Sequence, residues 1–166
     1  MKNIIFRRRS VRTYQDEEVP KDVIESLLRA AMQAPSAHNQ QPWHYVVVRK
    51  KEVIEELAEA GPHAVMLKNS PLAIVLLADP DEFVMEHFWP QDLAASATTL
   101  LLQAVDQGYG GCWIGVYPEE DKMEHAKTVL GIKSDLIPFA ILSLGKPRKE
   151  VIPRDCYDEG KIQWIE

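Results

Sequence analysis

The chain has 166 residues, of which 46% are hydrophobic and 27% are charged, and its formal net charge is -6. This length and composition predict a single globular domain with room for a hydrophobic core. The acidic balance argues against a nucleic-acid binder that uses a broad basic face, and no apolar run is long enough to span a bilayer. Two cysteines make neither a disulfide framework nor a zinc site, and the amino end lacks the apolar run of a signal peptide. These features predict a cytoplasmic protein.

Hydrophobic periodicity predicts helices over residues 19–34, 51–60, 92–107 and 119–131. Strands are predicted over residues 44–49, 72–78 and 138–146, with a short strand or turn at 110–116 and a candidate terminal strand at 161–165. The uninterrupted apolar run at 72–78 is typical of a buried strand, and Gly108 is well placed to end the third helix. Because helices and strands alternate, the sequence predicts a layered α/β or α+β domain.

The segment RRRSVR (7–12) places four arginines in six residues. Neighbouring guanidinium groups repel one another unless they share an anion, and guanidinium makes bidentate hydrogen bonds to phosphate. Ser10 adds a hydroxyl donor, and Arg9 and Arg12 are close enough in sequence to face one ligand. The pattern favours a small molecule that carries a phosphate, and a solvated basic turn is the alternative. No Walker or Rossmann glycine pattern accompanies it.

A second polar segment, PSAHNQQ (35–41), lies between a predicted helix and a predicted strand. Asn and Gln side chains both donate and accept hydrogen bonds, as the edge of a heteroaromatic ring requires. The alternative is a segment that only caps the helix and turns the chain. His38 is interpreted as a structural hydrogen-bonding residue rather than a proton donor, and Trp43 as an anchor of the following strand rather than a stacking platform.

The segment GYGGCWIG (108–115) is rich in glycine. Glycine lets another group approach the backbone closely, so backbone N–H groups here could bind a ligand ring. A helix end followed by an irregular strand is the alternative. Cys112, amid apolar neighbours, is interpreted as a small buried hydrophobic residue, and the histidines show no metal-ligand spacing.

The segments RRSVR (8–12), APSAHNQQPW (34–43), DLAASATTLLLQA (92–104), GYGGCWIG (108–115) and LGKP (144–147) together resemble the nitroreductase family of FMN-dependent oxidoreductases. The resemblance spans nearly the whole chain. It implies an α+β fold with a mixed, mostly antiparallel sheet flanked by helices, built as an intertwined homodimer with FMN in the interface. It also implies one FMN-binding domain over residues 1–166, with residues 150–166 as a C-terminal extension that packs on the partner subunit. A tail folded back on its own sheet is the alternative.

The resemblance also implies roles for particular residues. The arginine segment is expected to hold the FMN phosphate, the polar loop to contact the flavin across the dimer interface, and the CWIG turn to place backbone amides near flavin N5. A late basic residue usually completes the phosphate site, and Arg154 is favoured over Lys146 and Arg148. Lys68 is either a contact of the flavin pyrimidine or a surface residue. The implied cofactor-binding residues are Arg8, Arg9, Ser10, Arg12, Pro35, Ser36, Ala37, Asn39, Gln41, Ile114, Gly115 and Arg154.

The implied chemistry belongs to the cofactor, so no side chain is expected to act as a catalyst. NADH or NADPH is expected to pass hydride to FMN, and a nitroaromatic, quinone or similar small molecule is then reduced in ping-pong turnover. The alternatives are a specialised enzyme of the same family, such as a dehalogenase, and a protein that binds or stores FMN without catalysis. Residues 79–91 stand where larger members carry a helical insertion, and Phe83, Phe88 and Trp89 there are either substrate contacts or packing residues.

Overall fold

The computed structural model describes residues 3–166, in which helices and strands alternate. Short 3-10 turns connect several of them. The helices are α1 (Ile4–Arg7), α2 (Lys21–Ala31), α3 (Lys51–Leu57), α4 (Trp89–Asp106) and α5 (Glu120–Leu130), and the strands are β1 (Trp43–Val48), β2 (Leu72–Ala78), β3 (Gly110–Gly115) and β4 (Ile137–Gly145). The predicted helices and the four predicted strands up to residue 146 are therefore present, although α2 is shorter than predicted because the chain turns after Ala31. Along residues 3–166, no helix combines the length and the apolar character that a bilayer crossing needs.

The four strands form one antiparallel sheet in the order β1-β2-β4-β3. At one end of the sheet Leu72 pairs with Leu144, and at the other end Ala78 pairs with Trp43 and Ile137. We call these the Leu72 end and the Ala78 end. An isolated parallel bridge between Ser10 and Gly111 is added at the outer edge of β3. The expected mixed, mostly antiparallel character thus arises from four antiparallel strands and this one short pairing.

Helices cover both faces of the sheet. Side chains of β2 alternate between the faces, so that Ile74 and Leu76 pack with α2 and α4, whereas Val75 and Leu77 pack with α3 and α5. Because both faces are covered, every residue of β2 is buried, which explains its uninterrupted apolar sequence. Helix α4 runs beneath the sheet from the Ala78 end to the Leu72 end and connects the two places where candidate site residues lie.

The predicted terminal strand at 161–165 is wrong. Glu159–Lys161 form a short 3-10 turn, and the residues after it have no regular structure. Trp164 is 74% exposed and Ile165 is 92% exposed, so the tail is not folded back on the sheet of its own chain. A strand needs a partner edge for its backbone hydrogen bonds, and the described part of this chain supplies none to these residues.

Candidate functional site

The arginine segment is attached to the outer edge of β3. The N–H of Val11 donates to the carbonyl oxygen of Gly111 at 2.9 Å. A Cβ atom on Gly110 would lie 2.6 Å from Cγ2 of Val11, and one on Gly111 would lie 2.6 Å from the carbonyl oxygen of Ser143. These two glycines therefore allow the protein to pack against itself. The space at Gly110 and Gly111 is thus filled by the protein and not by a ligand. Gly115, by contrast, is exposed with no atom within 4 Å of its Cβ position, so a ligand has room to approach the backbone there.

Tyr14 attaches the arginine segment to β4 through its side chain. Its side chain is only 3% exposed, and its hydroxyl donates to the carbonyl oxygen of Val11 at 2.7 Å and lies 2.6 Å from the hydroxyl of Ser143 on β4. Burial of the phenol raises the pKa of Tyr14 above its usual value, so the hydroxyl keeps its proton. Sequence analysis did not identify this residue, because a tyrosine next to a polar turn has no distinctive pattern.

The tail brings Arg154 to the arginine segment. The backbone N–H of Arg154 donates to the carbonyl oxygen of Phe6 at 3.0 Å, and Nη1 of Arg9 donates to the carbonyl oxygen of Ile152 at 3.4 Å. A cavity of about 630 Å³ results, which the basic cluster (Arg8, Arg9, Ser10 and Arg12) lines together with Arg154, Asp155 and neighbouring apolar residues.

The two competing late basic residues lie elsewhere. Nζ of Lys146 is 3.3 Å from a carboxylate oxygen of Glu17, and Arg148 lines neighbouring cavities rather than the one that contains Arg12. Within residues 3–166, no carboxylate forms an ion pair with Arg8, Arg9, Arg12 or Arg154. The four arginines that line the cavity therefore have no carboxylate partner in these residues, and among their side chains only that of Arg9 donates to the backbone there, so their guanidinium groups are available to an anion.

The polar loop (residues 35–41) has an unusual backbone. His38, Asn39 and Gln41 have φ values of 49°, 55° and 48°, in the left-handed region that residues other than glycine and asparagine seldom occupy. Ser36 Oγ accepts from the N–H of Gln41 at 3.1 Å, and Nε2 of Gln41 donates to Oδ1 of Asn39 at 3.0 Å. Such a conformation persists only where surrounding contacts hold it.

Asp92 and Gln40 supply those contacts. Gln40 belongs to the segment whose amides are predicted to meet the edge of a ring, although the family resemblance gives it no role, and Asp92 is not predicted to belong to the site. Asp92 lies in the first turn of α4 and is only 4% exposed. One of its carboxylate oxygens accepts from the N–H of Ala37 at 2.9 Å, and the other accepts from Nε2 of Gln40 at 2.5 Å. An acidic residue at the start of a helix is common because the helix dipole favours it there, so the sequence contains no specific signal for this role.

The basic cluster and the polar loop lie at opposite ends of the sheet. The polar loop leads into Trp43 at the Ala78 end, where the carbonyl of Pro42 accepts from the N–H of Asp79 at 2.9 Å, whereas the basic cluster joins Gly111 at the Leu72 end. The strand from Leu72 to Ala78 covers about 20 Å at about 3.3 Å per residue. The part of α4 from Asp92 to Val105 gives the same length of about 20 Å at 1.5 Å per residue. One chain therefore does not bring the two groups of residues together.

Ile114 and Gly115 lie between these two groups, towards the Ala78 end of β3, where Gly115 pairs with Ala140. The side chain of Ile114 is buried among residues of α3 and α5, so only its backbone is available to a ligand. Pro35 is exposed at the start of the polar loop, and Ala37 is half-buried with its N–H bound to Asp92.

An aromatic cluster lies at the Ala78 end. Trp89 stacks on Phe83 with ring centroids 5.9 Å apart and meets Tyr117 and Phe139 edge-on at 4.6 and 5.8 Å. Trp89 is buried, which supports the packing interpretation for that residue, whereas Phe88 keeps an exposed face.

Two side chains near the surface, Lys68 and His44, have acidic partners within the chain. Nζ of Lys68 lies 2.8 Å from Oε1 of Glu59, and this hydrogen-bonded carboxylate raises the pKa of Lys68; the surface interpretation of Lys68 is therefore favoured. Nε2 of His44 lies 3.3 Å from Asp79 and 3.5 Å from Glu82. The possible ligand atoms of these three residues lie within 4.8 Å of one another. Sequence spacing does not reveal this arrangement, because His44 lies in β1 and the two carboxylates follow β2.

A sequence model of the nitroreductase family matches residues 5–65 and 61–146. The chain belongs to the nitroreductase family. A protein of Methanothermobacter thermautotrophicus, provisionally named NADH dehydrogenase/NAD(P)H nitroreductase, is 40% identical over 158 residues, which are 95% of this chain and 83% of the relative.

Solved structures agree with this assignment. A protein of Clostridium acetobutylicum, provisionally named NADH oxidase, superposes with a TM-score of 0.93 at 43% identity, over 96% of this chain and 97% of its own. An FMN-dependent nitroreductase of Clostridium difficile R20291 superposes with a TM-score of 0.91 at 30% identity, over 100% of this chain and 99% of its own. The predicted nitroreductase fold is thereby confirmed.

Proposed function

We propose that this protein is an FMN-dependent oxidoreductase that takes electrons from NADH or NADPH and passes them to a nitroaromatic, a quinone or a similar acceptor. The observation that carries the proposal is the cavity lined by Arg8, Arg9, Arg12 and Arg154. The names of similar proteins support it, because a relative is named as an NAD(P)H nitroreductase and a solved structure as an FMN-dependent nitroreductase.

The residues of the cavity fit the phosphate end of FMN. A phosphate monoester carries about -1.5 to -2 charges at neutral pH, and four guanidinium groups without carboxylate partners in residues 3–166 offer the opposite charge. Ser10 adds a hydroxyl donor, and Asp155 is the acidic residue that also lines the cavity. Arginine matches phosphate with paired hydrogen bonds, so a bound phosphate would offset about two of the three excess positive charges at this place.

The separation of the basic cluster from the polar loop supports a homodimer. Within one chain the two lie about 20 Å apart along the sheet, so under this proposal the polar loop of one subunit meets the flavin that the other subunit holds. The exposed apolar residues of the tail, including Trp164 and Ile165, are suited to pack on the partner. We accordingly propose one domain over residues 1–166, with residues 150–166 in contact with the partner subunit.

When bound, FMN supplies the hydride chemistry. The residues of this chain would bind the cofactor and orient its ring. Arg8, Arg12 and Arg154 hold the phosphate, and the exposed backbone at Gly115 lets a flat ring approach β3. The side chains of Ser36, Asn39 and Gln41 present donors and acceptors on the polar loop to the ring edge. The hydride chemistry would be the cofactor's own, so no side-chain acid or base is required.

The experiment compares FMN with riboflavin, which lacks the phosphate. Hydrogen bonds to charged groups contribute about 1.5–3 kcal/mol each, so Arg12→Ala or Arg154→Ala is expected to weaken FMN binding by roughly 10- to 100-fold. Riboflavin binding is expected to change little. Arg29→Ala, an exposed arginine of α2, is the matched control. An equal loss for both flavins would contradict the phosphate role.

Catalysis is tested separately by anaerobic titration of the FMN-loaded protein. NADH or NADPH is expected to bleach the flavin absorbance, and a nitroaromatic is expected to restore it. A yellow protein that neither donor bleaches would contradict the oxidoreductase proposal and favour a storage role.

A further inference from the structure

The side chain of Gln40 connects the polar loop to a second segment. Its Oε1 accepts from the N–H groups of Val84 and Met85 at 2.9 and 2.8 Å, and its Nε2 donates to Asp92 at 2.5 Å. Nε2 also lies 3.4 Å from the carbonyl oxygen of Met85. The amide oxygen therefore binds the backbone at Val84 and Met85, and the amide nitrogen binds the carboxylate of Asp92 on α4.

Asp92 determines which way that amide faces. A carboxylate accepts hydrogen bonds and does not donate them, so Nε2 of Gln40 must point at Asp92, and Oε1 must then point at Val84 and Met85. The other carboxylate oxygen of Asp92 holds the N–H of Ala37 in place. Because Asp92 is buried, loss of a partner would leave a desolvated charge without compensation, and the arrangement is strongly preferred over its reverse.

The segment that Gln40 holds has few other bonds and an apolar surface. Residues 84–88, which we call the rim segment, include exposed Val84, at 66% exposure, and half-exposed Met85 and Phe88. A backbone bond from the N–H of Phe88 to the carbonyl oxygen of Met85 is local and does not attach the segment to the rest of the fold. The bonds to Gln40 are what join Val84 and Met85 to the polar loop.

We propose that Gln40 and Asp92 form a brace that positions the rim segment against the polar loop, and that Gln40 thereby sets how the electron acceptor is bound. Gln40 is a positioning residue, since it acts through Val84 and Met85. The acceptor role rests on the proposed function, in which the polar loop contacts the flavin. The brace itself does not depend on that function.

The test swaps the amide of Gln40 and the carboxylate of Asp92, first one at a time and then together. Gln40→Glu places two carboxylates in contact, and Asp92→Asn places two amide groups so that either donors meet or the Gln40 amide must reverse. In the double variant Gln40→Glu with Asp92→Asn, the Glu carboxylate accepts from Val84, Met85 and the Asn amide, while the Asn carbonyl keeps the N–H of Ala37. The bonds to the N–H groups of Val84, Met85 and Ala37 and the bond between the two side chains are restored, the long contact with the carbonyl oxygen of Met85 is not, and the net charge is unchanged.

The first readout is amide hydrogen exchange at Val84 and Met85 in the protein without donor or acceptor. Two lost hydrogen bonds of about 0.5–1.5 kcal/mol each are expected to speed exchange by roughly 10-fold or more in each single variant. The double variant is expected to return close to the wild-type rate, and Gln91→Ala, an exposed glutamine beside Asp92, is expected to leave the rate unchanged. Single variants with wild-type exchange, or a double variant as fast as the singles, would overturn the brace.

The second readout is steady-state kinetics of the FMN-loaded enzyme with nitrobenzene. The KM for nitrobenzene is expected to rise several-fold in the single variants with a smaller change in kcat, and to recover in the double variant. An unchanged KM alongside faster exchange would overturn the acceptor role and leave the brace. Failure of all variants and the wild type to bind FMN would count against the proposed function, while the exchange rates would still decide the brace. Gln40→Ala, which brings no like charges together, replaces a single variant that does not fold.

Discussion

Replacing Gly111 by alanine is expected to destabilise the protein strongly, whereas the same change at Gly115 in the same strand is not. A Cβ atom at Gly111 would lie 2.6 Å from the carbonyl oxygen of Ser143 and 2.9 Å from side-chain atoms of Leu101 and Leu144. The nearest of these atoms belongs to the paired strand β4 and cannot move away without breaking the sheet register. At Gly115, no atom lies within 4 Å of the new methyl group.

The structure also indicates the size of the two effects. Overpacking a core position costs about 1–3 kcal/mol, and a clash with backbone places Gly111→Ala at about 3 kcal/mol or more. Gly115→Ala meets no such clash, so the lower entropy of the unfolded alanine chain is expected to leave stability unchanged or raised by about 0.5 kcal/mol. The difference in the free energy of unfolding between the two variants is therefore expected to reach about 3 kcal/mol.

Urea denaturation of the flavin-free protein, followed by tryptophan fluorescence, measures this difference without any contribution from the cofactor. The Gly115→Ala variant is then titrated with FMN. Because Gly115 is the exposed glycine at which a ring is proposed to approach β3, this variant is expected to be stable but to bind FMN more weakly. Equal losses of stability in the two variants would refute the packing argument, and unchanged FMN binding by Gly115→Ala would remove Gly115 from the proposed site.

Two further predictions concern buried tyrosines. Tyr14→Phe removes the hydrogen bonds to Val11 and Ser143 and is expected to lower the free energy of unfolding by about 1–3 kcal/mol, as measured by the same urea titration; a change within the error of the wild type would show that Tyr14 does not anchor the arginine segment. Burial raises the pKa of Tyr45 to about 12 and also raises the pKa of Tyr14. An unfolded tyrosine ionises from about pH 10 while the folded phenols stay neutral, so stability is complete below pH 10 and falls as the pH rises through 10 to 12. Tyr45→Phe is expected to reduce that fall, and an unchanged slope of stability against pH would contradict the assignment.

The predictable parts of the fold are those that local pattern determines. The apolar run at 72–78 predicts β2 with its observed bounds, because a strand covered on both faces needs apolar residues at every position. The spacing of apolar residues predicts that one face of α2 is buried, with Ile24, Leu27, Leu28 and Ala31 on it, and all of these are buried except Leu28, which is partly buried. The periodicity of apolar residues indicates which residues are buried, and that information alone is enough to predict these two elements.

The parts that could not be predicted depend on contacts between distant segments. Gln40 and Asp92 are 52 residues apart, and neither residue type is unusual in its own segment. Arg154 was favoured for the phosphate site only through family resemblance, and its place beside Arg12 depends on how the tail crosses α1. The left-handed backbone conformations of His38 and Gln41 could not be predicted either, because histidine and glutamine seldom adopt positive φ values.

The residues after Ile152 contribute no buried side chain to either face of the sheet, yet one of them is Arg154. The fold of the sheet thus does not depend on these residues, whereas the proposed phosphate site uses one of them. A protease that nicked the exposed C-terminal stretch would, under that proposal, leave a folded remnant that binds FMN more weakly than the intact chain.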